Sequence, residues 1–198
     1  FYLRKHAYRK DYIGVQGLLE LRQAVAEFHA EDVGFRLTAD NVLVCPGSKM
    51  LIYSVFAVFK RAEVVLAGPS WVSYEPQAKA LGHTVHRVQT TFAGRWRLEA
   101  RDFERTCKQI RENGNKSVII MVHTYPGNPD GLTYTDDELK EIADVARAYN
   151  VIIVADEIYG LLSHSGNHTS ISKYYPEGTV VSTGLSKWAG AGGWRVGV

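Results

Sequence analysis

Cysteine is scarce in this sequence. Only Cys45 and Cys107 occur among 198 residues, and their separation matches no metal-ligand spacing. A disulfide framework is excluded as the source of stability. A reduced compartment is expected, with both residues as packed thiols. Long apolar runs are also missing, and no stretch approaches the ~20 residues that cross a bilayer as a helix. The N-terminal stretch from Phe1 to Tyr12 is basic and aromatic and lacks the apolar core of a signal peptide. A cytoplasmic location is therefore expected, with an organellar matrix as the alternative. Charge of one sign is lacking as well: the formal net charge is +2, with the 22% charged residues mixed in sign. Without a Lys/Arg run, neither nucleic acid nor a membrane is an expected partner. The seven histidines are scattered, so no metal site is expected. No repeat or low-complexity segment is visible.

What is present is a chain 45% hydrophobic, enough to bury one main core. Short apolar runs alternate with helical patterns. The strand candidates are Val42–Cys45, Val64–Ala67, Thr84–Val88, Ser117–Val122, Val151–Ala155, Thr179–Ser182 and Trp194–Val198. Leu18–Phe28 carries an apolar stripe, Ser48–Phe59 reads as a buried helix and Glu99–Asn113 as an amphipathic one. Thr135 and Glu138 form a capping box that opens a helix running to Tyr149. Strands separated by helices predict an α/β fold with a largely parallel sheet. Ligands collect at the carboxyl ends of such strands, so the loops that follow them are where chemistry is expected.

The first such loop, Pro46-Gly47-Ser48-Lys49, runs straight into a helix. A glycine before a helix N-terminus lets free N–H groups approach an anion. Asp156 follows a buried strand and could position water or a metal, or pair with a ligand cation. A nucleotide hydrolase would also place an acid there, but its G-x-x-x-x-G-K-[ST] phosphate loop is missing; Gly114-Asn115-Lys116-Ser117 has the wrong spacing. In the last loop, Gly184-Leu185-Ser186-Lys187 leads through Gly190-Ala191-Gly192-Gly193 to Arg195, eight residues beyond the lysine.

This last stretch resembles the lysine signature of class I and II aminotransferases, pyridoxal-phosphate enzymes of fold type I. Further segments resemble the family in the same order. They are Tyr12 with Gly17 and Leu21-Arg22, then Gly47-Ser48-Lys49, Trp71-Val72-Ser73-Tyr74, Asn128-Pro129-Asp130-Gly131 and Asp156-Glu157-Ile158-Tyr159. The resemblance implies a three-layer α/β/α fold around a mostly parallel, seven-stranded sheet. It implies pyridoxal 5′-phosphate as cofactor and ping-pong transfer of an amino group from an amino acid to a 2-oxo acid. Lys187 would form the Schiff base and move the substrate proton. Asp156 would keep the ring nitrogen protonated. Tyr159 and Asn128 would bind the phenolic oxygen, and Trp71 would stack on the ring. The turn Gly47-Ser48-Lys49 would bind the phosphate together with Arg195. Tyr12 would reach the phosphate of a neighbouring subunit, implying a homodimer.

The chain departs from the family pattern in places. Gly184 stands where some relatives carry a phosphate-binding serine, leaving Ser182, Thr183 and Ser186 as the nearby hydroxyls. Asp130 replaces a threonine. The expected organisation is an N-terminal lead-in segment over residues 1–34 and a cofactor-binding large domain over residues 35–198. The smaller C-terminal domain of relatives, with its carboxylate-binding arginine, is not expected within these 198 residues, which leaves Arg4, Arg9 and Arg97 as the arginines to consider for that role. A lyase or synthase on the same scaffold, or a catalytically incomplete cofactor-binding fragment, would share these residues.

Overall fold

A computed structural model describes residues 4, 7, 8, 10–31, 33, 35–112, 114–164 and 166–198. Phe1 and Gly34, the limits of the expected lead-in segment, lie outside the described residues, as do Arg9 and Asn113.

The strands are β1 (Ala62–Ala67), β2 (Thr84–Val88), β3 (Val118–Thr124), β4 (Val151–Asp156) and β5 (Thr179–Ser182). They form one sheet in the order β2-β1-β3-β4-β5, every pair parallel. The sheet thus has five strands among the described residues, not the expected seven. Val42–Cys45 and Trp194–Val198 contribute only isolated antiparallel bridges, Cys45 to Gly197 and Gly184 to Gly197. The reason is local. Gly192–Trp194 is a turn of 3-10 helix and Arg195 is left-handed at φ 55°. Too few extended residues remain there to build a ladder.

The helices are α1 (Leu19–Phe28), α2 (Ser48–Ala57), α3 (Tyr74–Ala80), α4 (Ala100–Glu112) and α5 (Asp136–Ala148). Alternation along each strand sends neighbours to opposite faces. Val65, Ile119, Met121 and Ile153 join one core, with Phe103 and Ile110 of α4 and Leu139 and Ile142 of α5. Val64, Leu66, Ile120, Val122 and Val154 join the other, with Ile52 and Phe56 of α2 and Ala78 of α3. The result is the α/β/α sandwich, in which a parallel sheet is covered on both faces. The capping box on α5 is formed: Glu138 N–H donates to Thr135 Oγ1 at 3.3 Å and Thr135 N–H donates to Glu138 Oε2 at 2.7 Å. Cys107 is fully buried and Cys45 partly so, both as free thiols. Among the described residues no helix is long and apolar enough to cross a membrane.

After β1 the chain moves outward to β2, then returns to the other side of β1 as β3. Strand order therefore reverses between β1 and β3. In open α/β sheets a crevice for ligands opens at such a point, beyond the carboxyl ends of the strands.

Candidate functional site

A cavity of about 210 Å³ lies at that end of the sheet. Ser48 and Lys49 reach it from the first turn of α2, and Trp71 from the loop after β1. Asn128 comes from the loop after β3, Asp156 and Tyr159 from the end of β4 and the loop after it. Ser186, Lys187 and Arg195 come from the segment after β5. Residues up to 147 positions apart in sequence (48 to 195) thus share one wall, because each follows a strand or opens a helix at the same edge.

Asp156 is 3% exposed. Its Oδ2 accepts a hydrogen bond from Tyr74 Oη at 2.5 Å. Its Oδ1 is buried with no hydrogen-bond partner among the described residues. Burial pushes its carboxyl up to about 6, while the Tyr74 hydroxyl, the Ile158 N–H and the Lys187 charge pull in the opposite direction. An unpartnered buried carboxylate oxygen is costly, and a cationic or N–H-bearing ligand would relieve it.

The rest of the wall is rich in donors. Lys187 Nζ lies 5.4 Å from the centroid of the Tyr159 ring. Asn128 Nδ2 donates to Tyr159 Oη at 3.3 Å. Lys49 Nζ sits 5.7 Å from the Trp71 ring centroid, and Trp71 meets Tyr74 edge to face at 5.3 Å. Arg195 Nη1 donates to the Gly192 carbonyl at 2.7 Å, and its Nη2 lies against Gly47. Gly47 has φ 88°, and a Cβ there would fall 2.2 Å from Arg195 Nη2. Glycine is therefore required where the guanidinium crosses the start of α2. Helix N-terminus, Lys49 and Arg195 together make one side of the cavity anion-attracting, while Asp156 makes its floor cation-attracting.

Ser182 and Tyr12 are not on this wall. Ser182 is fully buried beside Asp156 in register, with Oγ unpartnered among the described residues. Tyr12 is fully exposed. Of the three hydroxyls Ser182, Thr183 and Ser186, only Ser186 lines the cavity. At Gly184 a Cβ would stand 2.5 Å from the Val196 carbonyl oxygen, so close backbone approach excludes the serine that some relatives carry there. Asp130 accepts the Leu132 N–H at 3.0 Å and closes its own turn. Arg97 is committed to Glu138 at 3.1 Å and to the Tyr134 ring, and Arg4 is exposed.

Two polar partners escaped the sequence reading. Tyr74 appeared only as the last residue of an aromatic motif, and Thr124 was not singled out. Both line the cavity, and they are 2.7 Å apart. Glu157 was read only as part of a motif. It is buried, and its carboxylate accepts from Tyr125 Oη and Ser170 Oγ at 2.8 Å each and lies 2.8 Å from His168 Nε2. Successive residues at the end of β4 thus put one acid into the cavity and the next into a separate polar network.

Residues 3–198 match the family model described as "Aminotransferase class I and II". An aspartate aminotransferase of Geobacillus stearothermophilus is 34% identical over 187 residues, covering 91% of this chain and 46% of the relative. A probable N-acetyl-LL-diaminopimelate aminotransferase of Bacillus subtilis is 33% identical over 184 residues, covering 91% and 45%. The solved structure of an aspartate aminotransferase from Thermus thermophilus with maleate superposes with a TM-score of 0.87 at 28% identity, covering 98% of this chain and 50% of that one. The chain therefore spans about half the length of the curated relatives it matches.

Proposed function

The chain belongs to the class I and II aminotransferases, a pyridoxal-phosphate-dependent family. From this and the site geometry we propose that it binds pyridoxal 5′-phosphate in the cavity at the carboxyl end of the sheet. There it serves the transfer of an amino group from an amino acid to a 2-oxo acid. The observation that carries the reading is the buried, unpartnered Oδ1 of Asp156 in a wall shared with Lys49, Lys187 and Arg195. That distribution fits a molecule with a basic ring at one end and a phosphate at the other.

When bound, the cofactor supplies a ring that withdraws the electrons left behind as a substrate Cα loses its proton. Asp156 Oδ1 holds the proton on the ring nitrogen. Lys187 Nζ would hold the cofactor at its aldehyde carbon and would move the proton at the substrate Cα. Tyr159 Oη and Asn128, already joined at 3.3 Å, bind the phenolic oxygen. Trp71 covers the ring and excludes water. The N–H groups of Ser48 and Lys49 beside Gly47 bind the phosphate with Arg195, whose planar fork grips two oxygens; Ser186, which lines the cavity where Ser182 does not, is the hydroxyl placed to assist.

Residues 1–34 act as a lead-in segment and residues 35–198 as the cofactor domain. The protein works as a homodimer in which Tyr12 reaches the phosphate in the neighbouring subunit. Support comes from the full exposure of Tyr12 within an exposed apolar stretch that includes Ile13 and Val15.

The test is isotopic. Protein loaded with pyridoxal phosphate is incubated with a panel of 15N-labelled amino acids and unlabelled 2-oxo acids. Label appearing in the amino acid formed from the 2-oxo acid is the expected result. Elimination products without label transfer, or no reaction by the cofactor-loaded protein, would overturn the proposed reaction.

A further inference from the structure

The two oxygens of Asp156 have different surroundings. Oδ2 is held by Tyr74 Oη at 2.5 Å, and Oδ1 has no partner among the described residues. Tyr74 Oη is also 2.7 Å from Thr124 Oγ1. A phenol has one proton to give. With that proton on the bond to Asp156, Thr124 must be the donor in the other bond. The donors then run in one direction, from Thr124 to Tyr74 to Asp156.

The chain is rigidly mounted. Tyr74 is 1% exposed and opens α3, where the crossover from β1 comes back over the sheet. Thr124 ends β3 and pairs in register with Asp156 at the end of β4. The Trp71 ring packs edge-on against Tyr74.

Resting on the proposed binding of pyridoxal phosphate, we propose that Thr124 and Tyr74 are a hydroxyl relay that positions Asp156. The relay occupies Oδ2, leaves Oδ1 as the oxygen for the ring nitrogen, and keeps the carboxylate ionised so that the proton stays on the ring.

A hydrogen bond donated to a carboxylate favours its charged form, and burial favours the neutral one. The two compete at Asp156, where burial is the larger effect and the Tyr74 bond is the first counterweight. Tyr74 remains a donor throughout the working pH range, because burial and the neighbouring carboxylate hold its phenol well above its ordinary value. The other titratable groups acting on Asp156 and Tyr74 are Glu157 from the end of β4, Tyr159 from the loop after β4 and Lys187 from the segment after β5. Glu157 is occupied by Tyr125, Ser170 and His168, so the relay is what acts directly on Oδ2.

The experiment reads proton position, not turnover. The protein is loaded with pyridoxal phosphate labelled with 15N in the ring, and the nitrogen's chemical shift is recorded for wild type, Tyr74→Phe, Thr124→Val, Thr124→Ser and Asp156→Asn. In parallel, the Asp156 carboxyl is titrated by 13C shift in protein stripped of cofactor, with Asp156→Asn assigning the signal. Wild type should show a protonated ring. Tyr74→Phe should move the ring signal toward the unprotonated position and raise the proton affinity of the free Asp156 carboxyl about tenfold, the size of effect expected for one charge-assisted bond. Thr124→Val should act in the same direction more weakly, and Thr124→Ser should restore wild-type behaviour. If Tyr74→Phe fails to fold by circular dichroism, the two Thr124 variants decide the matter. Unchanged ring and carboxyl signals in Tyr74→Phe and Thr124→Val, with Asp156→Asn still shifting the ring, would overturn the relay alone. Failure of the wild-type protein to take up the labelled cofactor would overturn the binding reading, and the relay with it.

Discussion

Asp156 illustrates how a single side chain sets opposite demands on folding and on function. The unfolded chain presents this carboxyl near its ordinary value of 3.8, and folding raises it to about 6 because the group is buried. Between those values the folded protein holds a proton that the unfolded chain has released. Its contribution to stability is therefore greatest below pH 3.8, falls as pH rises toward 6, and stays low above that. The difference is on the order of 3 kcal/mol. Cofactor-free Asp156→Asn should therefore melt higher than wild type at pH 8, with the advantage gone at pH 3.5, while losing function. Thermal melts of the cofactor-free proteins at the two pH values check this, and a pH-independent difference would contradict it. Gly47 carries a second prediction. An alanine there must adopt φ near 88° and push Arg195 aside. Backbone at φ 88° and ψ 155° is a region essentially reserved for glycine and costs another residue about 1–3 kcal/mol, and the displaced guanidinium is the proposed phosphate partner. Gly47→Ala should weaken cofactor binding at least tenfold in a fluorescence titration, whereas Gly193→Ala, where φ is ordinary and a Cβ meets nothing within 4 Å, should leave affinity nearly unchanged.

At the scale of elements, Glu157 is a staple. Its carboxylate gathers Tyr125 from just beyond β3, and Ser170 and His168 from the connection to β5. Its N–H donates to the Ser182 carbonyl on β5 at 2.9 Å. Tyr125 stands three residues before Asn128, and Glu157 lies between Asp156 and Tyr159, so the staple holds the backbone from which the cavity side chains project. Glu157→Ala strands several buried donors and should cost about 3 kcal/mol or more in urea denaturation. Glu157→Gln, which keeps an acceptor, should cost clearly less. Equal losses for the two would show that the packing volume, not the hydrogen bonds, matters. The same scale explains what the sequence could reveal. β2 and β5 carry the bounds read from their β-branched runs, and α5 begins at its capping box, because these signals are local. Asp156, Asn128, Lys187 and Arg195 were legible as cavity residues because each sits in a local motif at a strand end or on the segment that follows one. α3 was missed because it has only seven residues, with Pro76 in its first turn, too few to show a helical period. Val42–Cys45 reads as a strand by composition but has only one bridging residue. Tyr74 and Thr124, 50 positions apart, meet only through the strand order, and no local pattern encodes that contact.

At the scale of the whole molecule, one ligand would connect α2, three strand ends and the segment after β5. A cofactor that contacts all of them stabilises the folded chain by mass action, by about 2.7 kcal/mol at a hundredfold excess over its dissociation constant. Pyridoxal phosphate should therefore raise the melting temperature of wild type, and should raise it less for Arg195→Ala, which lacks the anion partner. A shift of equal size in both proteins would place the ligand elsewhere. Lys187 Nζ is the atom proposed to hold the cofactor. The direct measurement is borohydride reduction of the protein loaded with pyridoxal phosphate, followed by proteolysis and mass spectrometry of the labelled peptide. A single modified lysine, Lys187, and no fixed label in Lys187→Ala are the expected results. Stoichiometric label on Lys49 or Lys173 in place of Lys187 would contradict this assignment.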